Sequence, residues 1–140
     1  MVDIIKAVRA LLLVDTAVAA QVGTRVFGLE LPKSEAASMP RKCVVLSMAG
    51  GLGAVGASDY VDVTTIRFDV FNYGLDAYET VALQRVTHDA MKGIKRNLQS
   101  SVLLHGATQS GGPIYFRDQD TDWPATVESW SVFASELTAA

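Results

Sequence analysis

Histidine and cysteine are scarce in this sequence: two of the first and one of the second among 140 residues. A zinc centre takes about four ligands, usually Cys or His, so these residues are too few to cluster into one. A lone cysteine, Cys43, forms no disulfide within the chain, which suits a reducing compartment. Its place in the apolar run "KCVVLSM", residues 42 to 48, makes it a core residue. Excess basic charge is also missing. Lys and Arg number 12 against 15 Asp and Glu, a formal charge of −3, so no global field holds nucleic acid by its phosphates. The apolar run "ALLLV" near the start is too short for a signal or a membrane span, and Asp3 and Asp15 flank it. That segment reads as part of the folded chain, with no membrane partner.

Hydrophobic residues make up 49% of the chain, which suits one compact domain over residues 1–140. Asp3 caps a helix whose apolar stripe is Ile4, Val8, Leu11 and Leu12. Asp15 caps a second, Ala-rich helix through Gln21, and Gly23 ends it. "TRVFGLEL", residues 24 to 31, reads as a strand, and Pro32 and Pro40 bracket a polar, mobile arm. A strand at 42 to 48 precedes a glycine loop. In the next strand, 60 to 74, the apolar parity changes near Thr64 and Thr65, which predicts a bulge there or a strand passing between two environments. Asp76 and Glu79 have capping-box spacing. The helix they open presents Ala82, Leu83, Val86, Ala90 and Ile94 inward, with Gln84, Arg85, His88 and Lys92 outward. Lys92, Lys95 and Arg96 read as cations at its C-terminus. Strands around "GPIYFRD" and "ATVESWSVFAS", with a possible third at "SSVLLH", finish the chain. The fold class is α+β: a mainly antiparallel sheet carrying two N-terminal helices and one longer helix.

Three motifs hint at chemistry. Gly51, Gly53 and Gly56 have the G-x-G-x-x-G spacing of a dinucleotide loop. That loop works by opening a helix whose N–H groups receive the pyrophosphate, yet "YVDVTTIRFDVFNY" follows, dense in strand formers. "GATQSGGP" lacks the Gly-Lys-Ser/Thr of a phosphate loop. Asp118, Asp120 and Asp122 alternate as in a calcium loop, but Trp123 stands where Gly is needed and Ser129 where Glu is needed. For nucleophilic catalysis only His88 and His105 are available, there is no G-x-S-x-G elbow, and His105 has no nucleophile or carboxylate beside it in sequence. His88 reads as solvated and His105 as a strand-end residue. No cofactor and no metal is expected, and the chain does not read as an enzyme.

The order of elements, with "DIIKAVRALLLVDTAVAAQVGTRVFGLELP", "MPRKCVVLS", "VTTIRFDVFNYG", "DAYETVALQRV" and "IYFRDQDTDWPATVESWSVFA", resembles the tail-completion, or tail-terminator, proteins of long-tailed bacteriophages and gene-transfer particles. The resemblance implies a structural virion protein assembled in the host cytoplasm. Such proteins form a ring, usually hexameric, that caps the head-proximal end of the tail tube, stops its polymerisation and joins it to the neck. The implied partners are other copies of the chain, the tail tube protein and a head-completion or neck protein, with DNA passing only transiently. Head-to-tail rings need two different patches on each subunit. Gly50, Gly51, Gly53, Gly56, Ser58 and Asp59, and a second set of Gln109, Ser110, Gly111 and Gly112, are expected to face partners. Asp118, Asp120 and Asp122 are expected to face the channel, where like charge keeps DNA from adhering. A head-tail adaptor or stopper is the nearest alternative, and a nucleotide-binding enzyme the remote one.

Overall fold

The computed structural model describes residues 3–54, 63–99 and 101–136. Helix α1 spans Ile4–Val14, and the Asp3 carboxylate accepts the Lys6 N–H at 3.1 Å. The chain turns extended at Asp15, whose carboxylate accepts the Val18 N–H at 3.0 Å and opens α2, Thr16–Val22. Gly23 ends α2 at φ 62°, a left-handed conformation that glycine adopts without a Cβ penalty. All three N-terminal punctuation marks act as the sequence implies.

Strand β1 is only Val26–Gly28, shorter than the expected 24–31. Leu29 adopts φ 74° and its N–H bonds to the Leu46 carbonyl, so the chain leaves the sheet there. Between Pro32 and Pro40 lies a one-turn helix, α3, Lys33–Ala36, and an ion pair joins Glu35 to Arg41. Strand β2 is Cys43–Ala54 and β3 is Val63–Tyr73. Helix α4, Ala77–Lys92, begins with Asp76 accepting the Glu79 N–H at 2.9 Å, while Glu79 reaches back to the Leu75 N–H at 2.6 Å. Then follow β4, Lys95–Gln99, β5, Val102–Arg117, and β6, Pro124–Glu136. Strand β4 had been expected as a helix end. Gly93 stops α4, so of the three cations only Lys92 lies in the helix.

The six strands form one sheet in the order β1-β2-β3-β6-β5-β4. Only β1 and β2 run parallel; every other neighbouring pair is antiparallel, so the chain is α+β. Strand β6 lies between β3 and β5. One buried cluster joins Val8, Leu12, Val18 and Val22 of the first helices, Leu83 and Met91 of α4, and Leu46, Phe68, Leu104 and Val132 of the sheet. Helices α1, α2 and α4 therefore cover a single face. Side chains alternate across a strand, so the opposite face carries Phe71, Tyr73 and Phe116. These form an aromatic chain with Trp123, with ring centroids 6.1 to 6.5 Å apart.

The predicted bulge belongs to the other strand. β3 pairs with β6 in unbroken register from Val63↔Ser135 to Tyr73↔Ala125. The irregularities lie in β2, between Met48 and Gly51 and between Leu52 and Ala54. Glycine-rich backbone absorbs the extra residues more easily than β-branched Thr64 and Thr65.

Candidate functional site

Glu128, on the central strand β6, is the one fully buried carboxylate among the described residues, at 2% exposure. A buried charge persists only when it is paired and hydrogen-bonded. His88 Nδ1 lies 2.6 Å from one carboxylate oxygen, and Gln84 Nε2 donates to the other. Gln84 and His88 stand one turn apart on α4, so a single helix face grips both oxygens. The imidazole also rests on the Trp130 ring, with centroids 5.3 Å apart. The helix sequence was expected to send Gln84 and His88 to solvent, and the structure turns both toward the sheet. Ala82, expected inside, is exposed. The apolar stripe is too narrow to cover this face, and Thr80, Gln84 and Thr87 complete it. Thr87 donates to Asn72 at 3.0 Å, and Thr126 donates to the Thr80 carbonyl at 3.1 Å. The signal was available as Thr80, Gln84 and Thr87 at helical spacing, facing Asn72, Thr126 and Glu128 on alternate strand positions.

Above this cluster a groove of about 400 Å³ is lined by Gln84, Arg85, His88, Asp89, Gln109 and Pro113. A second groove of about 410 Å³ lies beside β1, with Ile5, Leu29, Met48 and Ile66 among its walls. Neither brings a nucleophile to the Glu128–His88 pair. His105, exposed on β5, pairs with Ser135 Oγ at 2.8 Å. Among the described residues no group of three or more His, Cys, Asp or Glu is placed to hold a metal ion.

The glycine segment differs from its expected loop form. Gly50, Gly51 and Gly53 belong to β2, and Gly51 pairs with Ile66. Gly56, Ser58 and Asp59 lie outside the described residues. β2 and β3 are antiparallel neighbours, and the eight residues between Ala54 and Val63 are fewer than the dozen or so of a parallel crossover. A dinucleotide loop does not fit that connection. Gln109, Ser110, Gly111 and Gly112 also lie within a strand, β5, rather than a loop. Their glycines appear as register shifts, between Gln109 and Gly111 and between Gly111 and Ile114. In both cases pairing with a β-rich neighbour outweighs the loop-like composition.

Asp118, Asp120 and Asp122 lie in the exposed turn joining β5 to β6. The Asp118 carboxylate accepts the N–H groups of Asp120, at 2.9 Å, and Thr121, at 3.1 Å. Arg117 donates to the Asp122 carbonyl at 2.9 Å. The turn is thus an ordered acidic knob. Behind it, burial and then the Asp118 carboxylate push the Tyr73 hydroxyl above its ordinary range.

Cys43 is buried, as its apolar run implies, with Sγ 3.8 Å from Met39 Sδ. Burial pushes its pKa from 9.0 to about 12, against the opposing pull of Arg25 and Arg41. The unfolded chain therefore loses this proton at lower pH than the folded one. The thiol's contribution is complete below pH 9.0 and declines as pH rises toward about 12. At pH 8 an alkylating reagent is expected to modify Cys43 only after denaturant is added. Rapid labelling of the native protein would contradict this burial.

No protein-family model matches the chain, and no curated protein matches it. Among solved structures, a chain of the virion of a native gene transfer agent particle has a similar fold. The two share 19% identity at a TM-score of 0.66, over 93% of this chain and 92% of that one. At that identity the likeness speaks for the fold. No helix among the described residues is long and apolar enough to cross a membrane.

Proposed function

We infer that this chain is a structural virion protein of a phage-like particle: a ring that caps the head-proximal end of the tail tube and joins it to the neck. The observation carrying this reading is the fold shared with a gene transfer agent virion chain over nearly the whole length of both. The order of elements that resembles tail terminators supports the more specific role. The work is geometric, and no bond is made or broken. Its partners are further copies of the chain, the tube protein and a neck protein, with DNA only in transit. The strand segments around Gly51 and Gln109, together with Gly56, Ser58 and Asp59, remain the proposed partner-facing positions. Asp118, Asp120 and Asp122, which the sequence turns toward the channel, are proposed instead to face a neighbouring copy of the chain.

Light scattering after size exclusion, then electron microscopy, tests the ring. Annuli of about six copies with an open centre are expected. A chain that stays monomeric, both alone and with tail tubes, would sink the reading. Deleting the gene separates the roles: overlong or head-free tails mark a terminator, and tailless, leaking heads mark an adaptor.

A further inference from the structure

The β5–β6 turn is net acidic: it carries Asp118, Asp120 and Asp122 against one cation, Arg117, whose Nη1 lies 3.7 Å from the Asp122 carboxylate. An opposite patch lies at the sheet edge. Lys92 at the end of α4, with Lys95 and Arg96 of β4, supplies three exposed cations within five residues. None of the three enters an ion pair among the described residues. Each patch also has an apolar neighbour held in water: Leu98 is 55% exposed beside the cations, and Ile114 is 59% exposed on the strand leading to the knob. Among the described residues strand β4 is the edge of the sheet, with one side unpaired.

The two patches cannot meet within one molecule. Lys95 pairs with Gly106, and the knob follows Arg117, eleven residues further along β5. At about 3.3 Å per residue, less some shortening at the bulges, that is about 30 Å. A partner carrying both patches is a second copy of this chain. We propose that the β4 edge of one copy receives the acidic β5–β6 knob of the next, with Leu98 and Ile114 in the same contact. The contact joins two different surfaces, so it propagates head to tail and closes when the rotation between copies permits. The knob's internal hydrogen bonds order it before docking, which reduces the entropic cost of association. This inference rests on the ring reading for closure alone.

Two charge reversals at exposed positions test it: Asp120→Lys and Lys95→Glu, each checked for native circular dichroism. Sedimentation velocity is expected to show each variant self-associating about tenfold more weakly than the parent, because like charges then oppose each other across the contact. An equimolar mixture of the two is expected to recover association to within about threefold, since each supplies what the other lost. A carbodiimide should link Lys95 to Asp120 between copies. Unchanged association of the single variants, a mixture that does not recover, or a parent chain without cross-copy links even when tail tubes are present would overturn the contact. If annuli persist through both reversals, this contact fails and the ring reading stands. If the mixture recovers but only open chains form, the contact stands and the ring reading fails.

Discussion

Replacing His88 with alanine is expected to destabilise the protein by about 2 kcal/mol, toward the lower end of what stripping a buried carboxylate of a hydrogen-bond partner costs. Glu128 stays at the centre of the sheet after that change, with only the neutral Gln84 amide on its carboxylate. The lower end applies because the His88 side chain is 29% exposed, so water can enter the space it leaves. Glu128→Gln should cost less, since it removes the charge along with the need to neutralise it. The double variant should then be more stable than the sum of the two single effects implies. Urea denaturation of the four proteins decides this. A His88→Ala variant within about 1 kcal/mol of the parent would mean that the pair does not hold α4 to the sheet.

Gly112→Ala is expected to cost about 2–4 kcal/mol, from strain at a left-handed backbone combined with a steric clash. Gly112 has φ +82°, and a Cβ there would come 2.7 Å from the Val127 carbonyl oxygen and 3.1 Å from the Glu128 Cα. The obstruction is backbone of the central strand, so no rotamer change relieves it. The consequence extends to the proposed contact between copies, because a displaced β5 moves Ile114 and the acidic knob together. Gly111→Ala serves as the control: its nearest neighbours are Ser129 side-chain atoms at 3.8 and 3.9 Å, ordinary contact distance. Thermal melts showing equal losses for the two variants would refute the argument.

The parts of the fold written in local chemistry were readable. Asp3, Asp15 and Asp76 cap the helices expected of them, because a cap depends on residues three positions away. The antiparallel α+β class followed from strand runs set apart from helices. What was not readable depends on partners far along the chain. Gly51 and Gly111 look like loop residues until β3 and β6 lie alongside them. Gln84 and His88 look solvated until Glu128, 44 and 40 residues later, needs both of them. Strand β4, short and charged, carries no alternating pattern and exists because Val102 to Gly106 offer it an edge. The same distinction covers the proposed partner-facing segments: their composition marked adaptable backbone, while the strands set where it lies.

The position of β6 also affects how the molecule is made. Its neighbours on both sides come earlier in the chain, so the sheet has an empty slot until residues 124–136 emerge from the ribosome. Buried Trp130, Val132 and Ala134 all arrive with that last strand. A nascent chain still being translated therefore has neither a finished core nor an intact surface to offer. Under the proposed contact, the β5–β6 knob would be in place to meet another copy only once β6 has filled the slot between β3 and β5.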